Sequence, residues 1–309
     1  MVHLAANVGG LFKNMHNKVR TIAALLRAPL PLLGADRRSC LQVAMFHDNV
    51  LMNENVLHFA DKHGVPFGIF FASTCVFPDQ PRSFPMTEDM LLEGHPHHSN
   101  NSYAYAKRMM AFQCGNYNRE RGRKYFVVSP TNLFGKYDNF NLQASRDAPP
   151  PAAWESAAMF GQTARSSLRP LQDAHVIPAL IHKFKLAEEK GNELVIPTGS
   201  NSLRQFVYSK DLAQVVLDLI KRRESLTVDS LICAGENELR IVDVIHKIAA
   251  HFPNAKYRIE EKEEGQVRKT CSIERFRQVL PEFQFTGFDK CLDRTIKWFK
   301  ANYPDHIRK

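Results

Sequence analysis

Apolar residues along the chain follow two spacings, and the alternation of these spacings predicts an α/β fold. Residues 65–71 form a short, almost wholly apolar run, which is typical of a buried parallel strand. Residues 49–63, just before it, carry apolar side chains at helical spacing, and Gly64 ends that pattern. Further helices are predicted near residues 103–121, 176–190, 210–223, 240–252 and 288–302, and further strands near residues 2–6, 125–129, 193–197, 204–208 and 229–233.

Two segments depart from this alternation. Residues 79–101 are polar and contain three histidines, but no HExxH motif or cysteine partner accompanies them. We therefore expect a solvated loop and no metal site there. Residues 144–174 are dominated by Ala, Pro and Ser and show little periodicity, which predicts a disordered surface insertion between residues 1–143 and residues 175–309.

The net charge narrows the classes of partner. The 309 residues carry a formal charge of +9, and a basic surface attracts phosphate-rich ligands, either nucleic acid or small phosphorylated molecules. The basic residues are spread along the chain instead of forming one dense patch. We therefore expect a small phosphorylated ligand and no nucleic-acid partner.

Cysteine usage and hydropathy indicate the compartment. The six cysteines are scattered without a CxxC pair, which is typical of free thiols in a reducing environment. No apolar run reaches the length that spans a bilayer, and the first six residues resemble the end of a buried strand, not a signal peptide. The expected location is the cytoplasm, with no membrane partner.

Three residues indicate an acid/base device. Tyr103 and Lys107 are four positions apart, so on a helix they share one face. A nearby ammonium is expected to stabilise a phenolate and to lower the pKa of Tyr103. Ser73, at the end of the predicted buried strand 65–71, could hold a carbonyl oxygen beside that phenol, as ketone reduction requires. Tyr105 is a rival tyrosine, but it lies on a different helix face from Lys107.

Two further candidate catalytic residues, Cys75 and His175, could equally have ordinary structural roles. Cys75 follows Ser73 by two positions, so in extended chain both side chains would point the same way. A buried cysteine of this kind is usually structural. His175 precedes an apolar helical segment, where a histidine commonly marks a helix start. From the residues alone, both alternatives stay open.

Several motifs occur in one order and closely resemble the GDP-L-fucose synthases, a family of extended short-chain dehydrogenases/reductases. They are His3–Phe12, Asn53–His58, Ser73–Pro78, Tyr103–Met109, Pro130–Gly135, Asp138–Asn141, His175–Leu180 and Arg204–Ala213. The resemblance covers most of the chain outside residues 14–45 and 144–174. It implies an α/β fold with a Rossmann-type doubly wound parallel sheet, incomplete here, and a smaller C-terminal substrate domain.

The resemblance also implies a reaction. The family converts GDP-4-keto-6-deoxy-D-mannose to GDP-L-fucose with NADPH, by epimerisation at sugar carbons 3 and 5 and reduction at carbon 4. It assigns the epimerising acid/base pair to positions matching Cys75 and His175. It assigns the reduction to Tyr103, Ser73 and Lys107.

Binding positions follow from the same resemblance. Lys183 and Arg204 match residues that bind the GDP-sugar, with ordinary surface charge as the alternative. A homodimer is implied through helices that include the one with Tyr103. The NADP contacts match Ala5, Ala6, Phe71, Ala72, Ser73, Thr74, Lys107, Pro130, Thr131, Asn132, Leu133 and His175. The implied division is a partial NADP-binding domain in residues 1–143, the insertion in residues 144–174 and a mainly substrate-binding domain in residues 175–309.

One departure from the family sets up an alternative. The sequence has no GxxGxxG loop, whose backbone N–H groups would approach the cofactor pyrophosphate. We therefore expect weak NADPH binding by this chain. The alternative function is a non-catalytic, truncated isoform that pairs with a longer subunit.

Overall fold

A parallel four-stranded sheet organises the first part of the protein. The computed structural model describes residues 1–6, 37–142, 174–199, 202–262 and 266–307, with side chains of the first helix described from residue 43. The sheet has the order β1-β2-β3-β7, and every neighbouring pair is parallel. Its strands are β1 (Val2–His3), β2 (Phe67–Phe71), β3 (Lys124–Pro130) and β7 (Ser230–Cys233).

The central strands are apolar because helices cover both of their faces. All five residues of β2 are buried, as are six of the seven residues of β3. On one face the core includes Leu57 and Met110, from helices α1 (Arg37–Lys62) and α2 (Asn101–Arg121). On the other face it includes Leu219 and Phe276, from α4 (Ser209–Lys221) and α6 (Glu274–Val279). This arrangement of helix, sheet and helix confirms the doubly wound α/β fold class.

A second core lies in the C-terminal part of the chain. It contains side chains from helices α3 (Val176–Lys190), α5 (Ile241–Ala249) and α7 (Phe288–Asn302). Two small sheets border it, with the orders β4-β6-β8 and β5-β9. Their strands are β4 (Asn132–Phe134), β5 (Leu194–Thr198), β6 (Leu203–Tyr208), β8 (Glu238–Arg240) and β9 (Tyr257–Glu261).

The two cores are not separated by a single cut in the sequence. Strand β7 comes late in the chain but pairs with β3 in the first sheet, through Val127 and Ser230. Strand β4 comes early but pairs with β6, through Leu133 and Val207. The division at residues 143 and 175 therefore remains a prediction.

Most predicted elements are present, and the exceptions have physical reasons. Helices α3 and α7 have the predicted bounds, whereas α1 begins at Arg37, a dozen residues before its apolar spacing becomes regular. The sequence did not indicate β4, β8, β9 or α6, which are three to six residues long. Such short elements carry too few residues for a periodic signal. The predicted insertion lies outside the described residues, apart from Ala174 at its end.

The loop predicted to be solvated is partly buried. It contains short 3-10 helices at Glu88–Leu92 and His98–Asn100. Met86 and Met90 are almost completely buried in the core beneath α2. Met86 also pairs with Cys271, far along the chain. The loop is therefore anchored to the fold by apolar side chains that its polar composition concealed.

Helix polarity and the state of the cysteines can be stated for the described part of the chain. None of its helices combines the length and the apolarity that a bilayer crossing requires. Cys75, Cys114, Cys233, Cys271 and Cys291 are free thiols there.

A buried histidine connects β1 to the two helices beside it. His3 is 4% exposed, and its Nε2 atom lies 3.0 Å from Oδ1 of Asn53 on α1. The Nδ2 atom of Asn53 donates to the carbonyl of Ala106 on α2, at 3.4 Å. Burial lowers the pKa of His3 from its usual value, although the hydrogen bond to Asn53 opposes that shift. The fold therefore favours the neutral imidazole.

This burial predicts a loss of stability in acid. Below the usual pKa of 6.5 the unfolded chain binds a proton at His3, whereas the folded protein binds it more weakly. The free energy of unfolding therefore decreases as the pH decreases. We expect His3→Gln to shrink the drop in Tm between about pH 7.5 and about pH 5.5. The exposed His58→Gln variant on α1 is the control. Equal drops in both variants would contradict this account.

Candidate active site

The predicted residues of the reduction lie at the carboxyl ends of the parallel strands. Ser73 follows β2, and the helix α2 places Tyr103 and Lys107 one turn apart. Tyr103 is 7% exposed and Lys107 is 1% exposed. Open α/β sheets bind ligands beyond the carboxyl ends of their strands, so this placement suits a site.

The turn after β2 differs from the predicted extended chain. Ser73 itself is extended, but Thr74–Val76 forms a 3-10 helix that Ser73 caps. The backbone N–H of Cys75 donates to Oγ of Ser73 at 3.4 Å. The prediction that Ser73 and Cys75 point the same way along an extended strand is therefore wrong. A serine hydroxyl that accepts a hydrogen bond from a nearby N–H favours a turn over a strand.

The lysine is held by a backbone carbonyl. Nζ of Lys107 donates to the carbonyl of Ala5, beyond the end of β1, at 3.4 Å. Burial lowers the pKa of Lys107 to about 8, although the thiols of Cys75 and Cys114 favour its charged form. The ammonium therefore loses its proton much more readily than an exposed lysine does.

The tyrosine behaves differently from the expectation. Burial raises the pKa of Tyr103, and the nearby thiol of Cys75 raises it further. The prediction that Lys107 lowers this pKa is wrong, because desolvation of the phenolate dominates and no lowering by Lys107 offsets it. A protonated phenol suits a group that donates a proton. The rival Tyr105 lies partly outside the core, with its hydroxyl 2.6 Å from Nδ1 of His95.

The half-buried thiol of Cys75 lies among opposing influences. Burial raises its pKa, whereas the charges of Lys269 and Lys107 and the hydrogen bond with Ser73 oppose the rise. Lys269 was not predicted, because it lies almost two hundred residues from Cys75 and belongs to no motif. Burial also lowers the pKa of Lys269.

A segment from the C-terminal half brings Lys269 to this position. Nε2 of Gln266 donates to the carbonyl of Asp79 at 2.7 Å, just beyond the Cys75 turn. Two residues after Lys269, the N–H of Cys271 donates to Oε1 of Gln205 on β6 at 2.8 Å. Residues 266–271 thus run between the Cys75 turn and β6, and we call them the crossing segment.

The two predicted GDP-sugar residues lie on the C-terminal elements. Arg204 on β6 donates from its guanidinium to the crossing segment, at 2.6 Å to the carbonyl of Gln266 and at 3.1 Å to that of Val267. Burial lowers the pKa of Arg204 to about 10. Lys183 is half-buried on α3. Gln266 of the crossing segment thus contacts both Arg204 and the chain just beyond the Cys75 turn.

The other predicted catalytic residue lies on a different element. His175 immediately precedes α3, its side chain is 54% exposed, and its Nδ1 atom is 3.9 Å from Oδ1 of Asp138. The structure therefore brings Ser73, Cys75, Tyr103 and Lys107 together through β2 and α2 and places His175 at the start of α3.

The residues predicted to contact a dinucleotide border the carboxyl ends of β1, β2 and β3. Thr131 is 7% exposed, and its Oγ1 atom is buried without a hydrogen-bond partner. A buried hydroxyl of this kind usually serves a ligand or a water. The side chain of Asn132, the residue after Thr131, donates to the carbonyl of Gln205 at 3.0 Å. This hydrogen bond ties the chain beside Thr131 to β6. This donor set fits the polar groups of a nicotinamide nucleotide. The other predicted contacts on these strand ends are Ala5, Ala6, Phe71, Ala72, Thr74, Pro130 and Leu133.

Comparison with known proteins decides the family. The model of the NAD dependent epimerase/dehydratase family matches residues 34–150 and 158–232, more than half of the chain. The chain belongs to this family. Its members are enzymes, and the Rossmann-type sheet described above is the fold expected of them.

Individual relatives identify a narrower group within this family. The GDP-L-fucose synthase of Dictyostelium discoideum is 32% identical over 98% of this chain and 78% of its own length. The probable GDP-L-fucose synthase of Drosophila melanogaster is 32% identical over 100% of this chain and 82% of its own length. A GDP-L-fucose synthetase from Naegleria fowleri bound to NADP has a TM-score of 0.74 at 33% identity, covering 100% of this chain and 78% of that one. These relatives confirm the resemblance to the GDP-L-fucose synthases within the epimerase/dehydratase family.

The lowered pKa of Lys107 predicts the alkaline limb of activity for this family member. The pH dependence of kcat/KM follows the groups of the free enzyme, and Lys107 loses its charge as the pH rises through about 8. We expect kcat/KM for NADPH-dependent reduction to fall as the pH rises through that value. A profile that stays flat to about pH 10, the usual range for lysine, would show that this ammonium is not needed.

Proposed function

We propose that this protein converts GDP-4-keto-6-deoxy-D-mannose to GDP-L-fucose with NADPH, as a 3,5-epimerase and 4-reductase. The observation that carries the proposal is the juxtaposition of two devices at one sheet edge. Cys75 can exchange protons with carbon acids, and Tyr103 with Lys107 and Ser73 can protonate a carbonyl oxygen. The names of the relatives support the same pair of reactions.

Epimerisation needs groups that exchange protons near neutral pH. The 4-keto group of the substrate acidifies the hydrogens on carbons 3 and 5. One group removes such a proton, and a second returns a proton to the opposite face, which inverts the carbon. We assign the pair to Cys75 and His175, since thiol and imidazole have reference pKa values of about 8.5 and about 6.5. A substrate lying between β2 and the start of α3 would present one face to each group.

Reduction at carbon 4 uses the buried tyrosine. When bound, NADPH supplies the hydride that this step needs. Tyr103 donates its phenolic proton to the oxygen of carbon 4, and its raised pKa keeps the group protonated until this step. Ser73 donates a hydrogen bond to the same oxygen, and the Lys107 ammonium stabilises the tyrosinate that remains. The orphaned hydroxyl of Thr131 supports a nicotinamide nucleotide at the neighbouring strand ends.

The basic residues of the C-terminal part suit a nucleotide diphosphate. Arg204 is held by carbonyls of the crossing segment, which fixes its position but leaves its positive charge uncompensated by them. Lys183 on α3 supplies a second cation. We assign both to the GDP portion of the substrate, because guanidinium and ammonium groups bind phosphate oxygens strongly. The reaction is placed in the cytoplasm, where free thiols persist.

The alternative of a non-catalytic partner has no support from the comparisons. The direct test is to incubate the purified chain with GDP-4-keto-6-deoxy-D-mannose and NADPH and to identify the product by NMR. GDP-L-fucose formed in proportion to NADPH consumed is the expected result. A sugar that is reduced without inversion at carbons 3 and 5 would restrict the function to reduction.

Single substitutions should separate the two half-reactions. In deuterated water, Tyr103→Phe should still exchange the hydrogens on carbons 3 and 5 but lose about 10²–10⁴-fold in NADPH consumption, the usual contribution of a general acid. Cys75→Ser should exchange at neither carbon, because a hydroxyl is far less acidic than a thiol. Mass spectrometry of the recovered sugar nucleotide measures the hydrogen exchange, and NADPH absorbance measures the reduction.

Matched variants control this comparison. Tyr105→Phe removes a hydroxyl two residues from Tyr103, and Cys291→Ser keeps a donor toward the carbonyl of Thr286. Both should behave like the parent. If Cys75→Ser exchanges both hydrogens at the parent rate, the thiol is structural and the assignment of the epimerising group is wrong.

A homodimer is part of the proposal. Helices α1 and α2 expose large apolar side chains on the surface away from the sheet, among them Phe59 at 52%, Phe112 at 55% and Val43 at 68%. A second copy covering these helices would remove this apolar surface from water.

This assembly makes a separate prediction. We expect Phe112→Glu to convert dimers into monomers in analytical ultracentrifugation, because a carboxylate would be buried in the apolar contact. Leu217→Glu on α4, where the leucine is 51% exposed, is the matched control and should not change the mass. A parent protein that sediments as a monomer at all concentrations would contradict the homodimer.

A further inference from the structure

Arg108 is a buried cation whose role the proposed reaction does not include. It follows Lys107 on α2 and is 6% exposed. In the described part of the chain no carboxylate forms an ion pair with it, and the titratable groups that favour its charged form are Tyr105 and Cys75. A buried guanidinium without a counter-ion needs hydrogen bonds to offset its desolvation.

Those hydrogen bonds reach both ends of one loop. Nε of Arg108 donates to the carbonyl of Val76, and one terminal nitrogen donates to the carbonyl of Gly94 at 2.5 Å. Its guanidinium carbon also lies 5.6 Å from the ring centre of Tyr105. The loop between the two carbonyls closes on itself, since the N–H of Asp79 donates to the carbonyl of His95 at 2.9 Å. Arg108 thus joins the base of this loop to α2.

Val76 is the last residue of the 3-10 turn that carries Cys75. The turn itself has few hydrogen bonds, at 3.0 Å from the N–H of Val76 to the carbonyl of Ser73 and at 3.4 Å from Phe77 to Thr74. A single short turn of this kind does not hold its geometry alone. The Arg108 contact adds a fixed link from the turn to the helix that carries Tyr103 and Lys107.

We propose that Arg108 is a positioning residue, which holds the Cys75 turn at a fixed place relative to Tyr103 and Lys107 and so serves the epimerisation. The inference rests on the proposed function, in which Cys75 exchanges protons with the sugar. Arg108 touches neither the substrate carbons nor the reduced carbonyl in this scheme. Ser73, which serves the hydride step, continues directly from β2, where the N–H of Ala72 donates to the carbonyl of Val128 at 2.9 Å, whereas Arg108 holds the far end of the turn at Val76. The removal of Arg108 should therefore impair proton exchange much more than the hydride step.

Two assays separate these steps. Exchange is followed as deuterium incorporation into GDP-4-keto-6-deoxy-D-mannose without reductant. The hydride step is followed in reverse: GDP-L-fucose gives a hydride from carbon 4 to NADP⁺ and its hydroxyl proton to the tyrosinate form of Tyr103, with no inversion at carbons 3 and 5. For Arg108→Lys and Arg108→Met we expect exchange to fall at least about tenfold and the oxidation to change less than about twofold. A lysine keeps the charge but cannot reach both carbonyls as a planar fork does.

A third measurement does not depend on activity. Amide hydrogen exchange of the peptide containing residues 73–78 should accelerate in both variants, while that of α7 stays unchanged. Arg119→Met is the control, since Arg119 lies on the same helix and donates to Asn116 only one turn away. It should leave all three readouts at the parent level.

The outcomes decide the proposal in each case. Equal losses of exchange and oxidation would mean that Arg108 supports the fold in general, and unchanged rates would mean that the turn does not need it. Either result overturns the proposal. If the parent protein performs neither step, the proposed function fails, and unchanged amide exchange at residues 73–78 would then overturn the positioning role on its own.

Discussion

The site depends on keeping an ammonium group out of water at the carboxyl edge of a parallel sheet. Lys107 is almost completely buried, and within the described residues its one hydrogen bond, of 3.4 Å, goes to the carbonyl of Ala5. Its pKa falls from 10.5 to about 8, which corresponds to about 3 kcal/mol of lost preference for the charged form. The sheet, α1 and α2 impose this burial. In return, the group can respond strongly to a nearby anion or phenolate.

The same burial shifts the pKa values of the two groups that move protons in one direction, but the consequences for their roles differ. It raises the pKa values of both Tyr103 and Cys75, which favours their protonated forms. For Tyr103 this suits proton donation. For Cys75 it does not suit proton removal, and the opposing charges of Lys269 and Lys107 reduce the difficulty without removing it.

Much of the fold could be predicted from the sequence, and the reasons are particular. The apolar run of β2 has no polar residue because helices cover both faces, so it was visible at once. Tyr103 and Lys107 were visible because helical spacing places them on one face. The direction of Cys75 was not, because Ser73 caps a 3-10 turn and local hydrogen bonds override the strand pattern. The pKa of Tyr103 was predicted with the wrong sign, since the sequence does not reveal depth of burial.

The parts of the site that sequence reasoning missed share one property: they depend on contacts between distant segments. In the sequence, Arg108 resembles an ordinary cation on a helix surface. The structure shows that its guanidinium donates to the carbonyls of Val76 and Gly94. Lys269 belongs to no sequence motif. Only the structure shows that the contacts of Gln266 and Cys271 place the crossing segment, and Lys269 with it, beside the Cys75 turn. These anchors come from different parts of the chain, one from α2 and one from the C-terminal half.

A thiol placed between two such anchors is positioned by backbone carbonyls and amides, whose places follow from the packing of whole elements. Substitutions far from Cys75 that move α2 or β6 should therefore affect it more than changes on the exposed loop beside it. The chemistry of this turn is thus a property of how the two cores meet, and not of the Ser73–Pro78 motif alone.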